Sequence, residues 1–378
     1  MNKKEVAEIK KQFTPSNCAI TRICGCYVDG EKEKKTRIKE AFLSLPEEEM
    51  FKYFDIFRKC LSGTVGKNLL NMEFPLETEA EGGTQEFLLK LRDSRLTDDK
   101  MLEEFYDKVI ACYDYAENYL ILLIHAAYDI PGKSSDGSEM FDASDEVYDY
   151  VLCSICPVKL SKPGLSYHAE ENSFHERTRD WVVELPADGF LFPAFNDRST
   201  DIHSLLYYSK NAKELREDFV RDLLGCTLPL PAPAQKETFN LLVEETLGEE
   251  CSYETVKNIH ENLHELVQQN AENPEPLTLD KAEVKYLFEK SGVEEEKLED
   301  FDAYFEAAAG EKSGLLASNI ADTRKFEIKT PEVSIQVSPD YMDLVETRII
   351  DGRKCIVIGV DDQVEINGIS AKTVLNQA

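Results

Sequence analysis

A chain of 378 residues is longer than one hydrophobic core usually grows, so two or three cores are expected, and 42% hydrophobic with 31% charged residues excludes wholesale disorder. The formal net charge of −30 repels phosphate backbones over most of the surface. The imbalance is uneven: residues 1–60 hold 13 Lys+Arg against 10 Asp+Glu, leaving 30 against 63 beyond them, so any contact with a polyanion is sought in the first sixty residues.

The first elements expected are a short helix from Lys3 to Gln12 and a strand from Cys18 to Val28, with Asp29-Gly30 as a hairpin turn. Pro46 before Glu47, Glu48 and Glu49 marks a helix start, since proline fits the first turn and acids complement the helix dipole. That helix is expected to end near Ser62-Gly63. Helical patterns follow at Thr84–Leu96 and Thr97–Tyr115, then a buried strand at Tyr119–Ile130 and a loop at Ser134–Ser138. Val147–Leu160, Thr178–Leu185 and Phe190–Phe195 read as strands, the last two joined as a hairpin across Pro186–Gly189. His203–Tyr208 and Ala212–Leu224 read as helices, with Gly225 as a stop. Leu228-Pro-Leu-Pro-Ala-Pro-Ala234 reads as an extended spacer. Beyond it come helices near Gln235–Leu247, Ser252–Gln269, Leu279–Lys290 and Glu294–Ala309, and a small sheet unit from Phe326 to Ile369 with Asp351-Gly352 and Asn367-Gly368 turns.

The expected fold class is therefore α+β: an N-terminal mixed strand and helix domain (1–227), a Pro-rich linker (228–235), an acidic helical region (236–312) and a small C-terminal β unit (324–378). Ten scattered cysteines in so long a chain read as free thiols of a reducing compartment. The charged N-terminus lacks a signal-peptide pattern, and the longest apolar run, Tyr119–Tyr128, is interrupted by His125 and too short to span a bilayer, so a cytoplasmic location without membrane contact is expected.

Four groups of residues carry candidate chemistry. His260-Glu261-Asn262-Leu263-His264 fits the H-E-x-x-H pattern, whose spacing puts two imidazoles on one helical face to share zinc while the glutamate activates water. Against it, Glu265 sits where a neutral residue is usual, and Val256, Ile259, Leu263, Leu266 and Val267 form an apolar stripe that accounts for the helix without metal. Cys24-Gly25-Cys26 with Cys153-Ser154-Ile155-Cys156 has too little in common geometrically for a four-thiolate site, since on strands the first pair shares a face and the second does not. The segment Asn196–His203 gathers Asp197, Arg198, Asp201 and His203 at an expected strand-to-helix junction, where the bland role is helix capping by Ser199, Thr200 or Asp201. Lys35, Arg37 and Lys39 share one face of an expected strand and form the nucleic-acid candidate, though Glu31 and Glu33 are interspersed nearby.

On the run from Asn2 to Gly30, including Asn17-Cys18-Ala19-Ile20-Thr21-Arg22-Ile23-Cys24-Gly25-Cys26-Tyr27-Val28, the whole chain resembles an uncharacterised bacterial family of unknown function. More distantly, the order of elements around Leu205-Leu206-Tyr207-Tyr208, Phe219 and Asp222-Leu223-Leu224-Gly225, and the final Val333–Val337 and Val364–Gly368, is similar to NdpA-type nucleoid-associated proteins. That resemblance implies association with nucleoid DNA, directly or through a DNA-bound protein, and brings no catalytic residues or cofactor. The expected function is macromolecule binding without catalysis. The alternatives are a zinc-dependent hydrolase through His260, Glu261 and His264, and a protein-binding scaffold working through the acidic helices.

Overall fold

The structure, a computed structural model, describes residues 1–133, 139–140, 146–248, 251–310, 314–322, 325–360 and 364–371. The loop expected at 134–138 and the boundaries expected at 312 and 324 lie outside these residues. The chain is α+β and divides into two compact units, Met1–Ala232 and Pro233–Ala378.

In chain order the first unit holds α1 (Lys3–Lys10), β1 (Ile20–Val28), β2 (Lys34–Ala41), α2 (Glu47–Cys60), β3 (Leu69–Glu73), α3 (Thr84–Asp93), α4 (Asp99–Cys112) and β4 (Tyr119–Ile130). There follow the short pair β5 (Gly132–Lys133) and β6 (Glu139–Met140), the long β7 (Glu146–Leu160), then β8 (Leu165–His168), β9 (Ser173–Glu176) and β10 (Trp181–Val183). The unit closes with β11 (Asp188–Phe192), β12 (Ala194–Asn196), β13 (Ser199–Asp201), β14 (Ser204–Ser209) and a π-helical turn at Phe219–Leu224.

One antiparallel sheet organises the unit, in the order β2-β1-β4-β7-β11-β14-β3, with β10 added to β7. Successive side chains of a strand point to opposite faces, and in β4 both faces are apolar. Leu120, Leu122, Ile124 and Ala126 enter one core with α1 and α2, while Tyr119, Ile121 and Leu123 enter a second with α3, α4 and the π-helical turn. A sheet covered on both sides explains why β4 from Tyr119 to Tyr128 reads as an apolar run broken only by His125.

The same physics corrects the helix expected at His203–Tyr208. Leu205, Leu206, Tyr207 and Tyr208 are all buried, two on each face, in β14 between β11 and β3. A short run apolar on every side is a sheet interior, not a helix stripe. Three further differences follow from local chemistry. Thr178–Leu185 and Phe190–Phe195 are not partners: β10 pairs with residues 158–160 of β7 and β11 with residues 151–155 of the same strand. Helix over Ala212–Leu224 is confined to its end, where Gly225 stops it with φ +67°, a position at which a Cβ would press on Thr84. The proline-rich spacer is shorter than expected, because α5 (Ala232–Leu247) takes Pro233 into its first turn, where a missing N–H costs nothing.

The second unit packs α5, α6 (Tyr253–Gln269), α7 (Lys281–Lys290), α8 (Phe301–Ala309) and α9 (Ala317–Ile320) around Phe239, Leu263, Leu287, Phe288, Phe301 and Phe305. Ser252 caps α6, and Asp280 with Glu283 forms the capping box of α7. The C-terminal β unit is made of separate hairpins, β17 (Phe326–Lys329) with β18 (Ser334–Val337), β19 (Val345–Ile350) with β20 (Arg353–Ile358), and β21 (Val364–Ile366) with β22 (Ile369–Ala371). The minimal pair β15 (Thr278–Leu279) and β16 (Leu315–Leu316) ties the helices together. Asp351-Gly352 and Asn367-Gly368 are both left-handed, as two-residue hairpin turns require. No helix among the described residues is long and apolar enough to cross a membrane.

Candidate functional site

The segment Asn196–His203 is a strand-to-strand hairpin, β12 to β13, with Asp197 and Arg198 as its left-handed turn, so no helix follows for Ser199, Thr200 or Asp201 to cap. Its charged groups are dispersed among structural partners. Arg198 grips Glu8 with Nε and Nη2, and Tyr128 donates to the same carboxylate. Asp201 accepts from Asn196 Nδ2 at 2.7 Å and from the His203 amide, while His203 Nδ1 meets Glu79 at 2.7 Å. That carboxylate raises the pKa of His203.

On β2 the basic residues lie on the sheet edge beside α4. A bulge at Tyr27/Val28 shifts the register, so Lys34 takes the place on the α4 face expected for Lys35, next to Arg37 and Lys39. Each cation is held by a carboxylate: Lys35 by Asp29 at 2.9 Å, Arg37 by Glu103, Lys39 by Asp99 and Lys34 by Glu103 and Asp107. The basic strand is an ion-pair lattice with a helix of this same chain.

In α6, His260 and His264 do face one cavity of about 230 Å³. The His260 ring stands edge-on between Phe239 and Phe326, with centroids 6.3 and 5.9 Å away, and burial followed by Lys236 lowers its pKa. His264 Nε2 meets Asp340 at 3.1 Å and Gln268, and Glu261 turns to Lys257. No group of three or more His, Cys, Asp or Glu side chains among the described residues is arranged to hold a metal ion. All ten cysteines are free; Cys24 and Cys26 lie in the core shared with α4, and burial pushes both thiols up to about 11.

A further acid sits beside a cavity of about 550 Å³ at the start of β11. Asp188 is buried, and its two oxygens each accept a phenol at 2.8 Å, from Tyr113 and Tyr207. Arg216, 4.9 Å above the Tyr113 ring, completes a satisfied network.

What sequence reading missed is a surface. Beyond Val158, β7 leaves the sheet and forms with β10, β8 and β9 a continuous two-stranded ribbon: Trp181 pairs with Leu160, Ser161 bonds the Asp180 carbonyl, Arg177 bonds Gly164, and Leu165 pairs with Glu176. Along it Leu165 (75% exposed), Tyr167, Phe174 (65%), Trp181 (57%), Val182, Val183 and Leu185 face solvent. Tyr167 and Phe174 pack ring to ring at 5.3 Å on one face, and on the other the fold brings His168 and His175 to 5.4 Å. The available signal was composition: Trp181, Val182, Val183 and Leu185 set among Arg179, Asp180 and Glu184, too short a stretch to reveal that neither face would be covered.

Residues 1–369 match the model of a family described as "Domain of unknown function (DUF4317)". No curated protein and no solved structure matches the chain, and the likeness to NdpA-type nucleoid-associated proteins finds no support there.

Proposed function

From the premise that the chain belongs to the DUF4317 family, which brings no activity with it, we propose that the protein works by binding another macromolecule, a protein, through the ribbon of β8, β9 and β10. The observation that carries this reading is the run of large apolar side chains left uncovered between 165 and 185. Folded chains rarely leave such a patch open unless a partner covers it, and Trp, Tyr and Phe are the residues that dominate contact energies. The outer edges of the β8–β9 pair carry no further strand among the described residues and offer backbone groups for strand addition.

Charge favours protein over nucleic acid. Residues 159–184 carry four Lys+Arg and five Asp+Glu, close to balance in a chain of −30, and tight phosphate binding needs uncommitted cations. Lys35, Arg37 and Lys39, the nucleic-acid candidates, spend their charge on Asp29, Glu103 and Asp99. Ten free thiols, most of them buried, support a reducing, cytoplasmic setting.

The test is covalent. A photoreactive residue in place of Phe174 is expected to give a discrete adduct in cells, lost when Leu165 and Trp181 are changed to Ser. The same residue in place of the exposed Lys52 on α2 is expected to give none. Equal labelling from both positions would remove the ribbon as the contact.

A further inference from the structure

Where the helical cover of the sheet ends, beyond Leu91 and Leu96, a pocket of about 400 Å³ opens over β4 and β7. His125 lies at its base, 1% exposed, and Asp149 beside it on the next strand. In the register His125 faces Val151 and Ala127 faces Asp149, so the two polar side chains are diagonal neighbours on one sheet face.

The ring's protonation follows from its hydrogen bonds. A bulge between Ile20 and Arg22 places Thr21 against the ring. The Thr21 hydroxyl oxygen lies 2.8 Å from Nδ1 and 3.1 Å from the His125 carbonyl; when its hydrogen goes to the carbonyl, the oxygen accepts from Nδ1. In that arrangement the neutral ring carries its proton on Nδ1 and leaves Nε2 a bare acceptor. Nε2 lies 3.5 Å from Asp149 Oδ1, and both atoms are buried without a hydrogen-bond partner. Burial lowers the pKa of His125; Asp149 and Asp93 oppose this, and Arg95 and Arg92 reinforce it.

Two buried acceptors side by side, one of them a carboxylate, leave a deficit of donor hydrogens, and buried polar atoms are costly to leave unpaired. A positively charged multiple donor fits them best. A bare cation does not fit, because Arg92 and Arg95 also line the pocket. Arg92 is engaged by Asp93 at 2.7 Å, whereas the Arg95 side chain has no ion pair among the described residues. A guanidinium beside a pocket is a carboxylate receptor. We propose that this pocket binds a small zwitterion of the α-amino-acid type, its ammonium donating to His125 Nε2 and Asp149 Oδ1 and its carboxylate held by Arg95 and Arg92. Thr200 and Val147, on the remaining wall, would meet the ligand's side chain.

The experiment uses the full chain and the twenty standard amino acids, each tested singly at millimolar concentration by thermal shift and then by calorimetry. At least one is expected to bind, and its N-acetyl and amide forms, which lack the ammonium and the carboxylate respectively, are expected not to. Arg95→Gln and Asp149→Asn should each weaken binding about tenfold or more while leaving the unfolding temperature of the free protein close to its starting value. In nitrogen NMR the free protein should show His125 as the neutral Nδ1–H tautomer at pH 7. Binding of no amino acid, equal binding of the blocked forms, unchanged affinity in both variants, or a doubly protonated His125 ring at pH 7 would each overturn the proposal.

Discussion

Strand β7 belongs to two different environments. From Tyr150 to Val158 every side chain is buried between two cores, and from Lys159 onward the same strand runs into a ribbon whose largest side chains are exposed. One part has its apolar surface covered by helices on both faces, and the other presents comparable surface with no cover. Stability is therefore concentrated in the sheet, while the ribbon keeps surface available for contact.

That contrast is broken most forcefully by a cavity in the sheet. Leu123→Ala, at a fully buried position of β4 opposite Cys153, should cost about 2–5 kcal/mol in denaturant unfolding. A loss below about 1 kcal/mol would mean that the sheet interior is not the main source of stability.

A smaller effect concerns two histidines, the buried His125 and the half-buried His260. His125 and His260 both have pKa values lowered below the ordinary 6.5, chiefly by burial, so the unfolded chain binds protons that the folded chain refuses. Their contribution to stability is full above that value and declines as pH falls through it, with a slope of up to about 1.4 kcal/mol per pH unit for each group. His125→Gln and His260→Gln should each flatten unfolding free energy measured between pH 6.5 and 5. An unchanged slope in either variant would show that ring to be accessible to protons in the fold.

The smallest expected change in stability comes from the ribbon. Leu165→Ser, Phe174→Ser and Trp181→Ser should each alter stability by no more than about 0.5 kcal/mol, because these exposed side chains bury little on folding. Trp181 is the chain's one tryptophan, so its quenching by acrylamide reads the ribbon directly. Full accessibility is expected in the free protein, and a shielded indole would mean that the ribbon already folds onto something.

The parts of this arrangement visible in the sequence are those set by local chemistry. Pro46 with three glutamates starts α2, Ser252 caps α6, and Asp351-Gly352 and Asn367-Gly368 turn their hairpins. The strand β14 was not visible, because Leu205–Tyr208 carries no period once both faces are buried. The H-E-x-x-H spacing does put two imidazoles on one cavity, yet the rings' partners, Phe239, Phe326 and Asp340, come from distant segments. His125 shows only as an interruption of an apolar run. Its meaning rests on Thr21 and Asp149, brought to it by a bulge and by strand register. The exposure of the ribbon is likewise a property of what fails to pack on it, which no residue within 165–185 encodes.

Hydrogen exchange, resolved by peptide and compared between the free chain and the chain captured with its photo-crosslinked partner, tests the contact surface most directly. Amides from Leu165 to Val183 should slow in the complex, while those of β4 and β11, already protected in the sheet, should not change. Unaltered exchange throughout the ribbon, with new protection elsewhere in the chain, would contradict the assignment of β8, β9 and β10 as the binding surface.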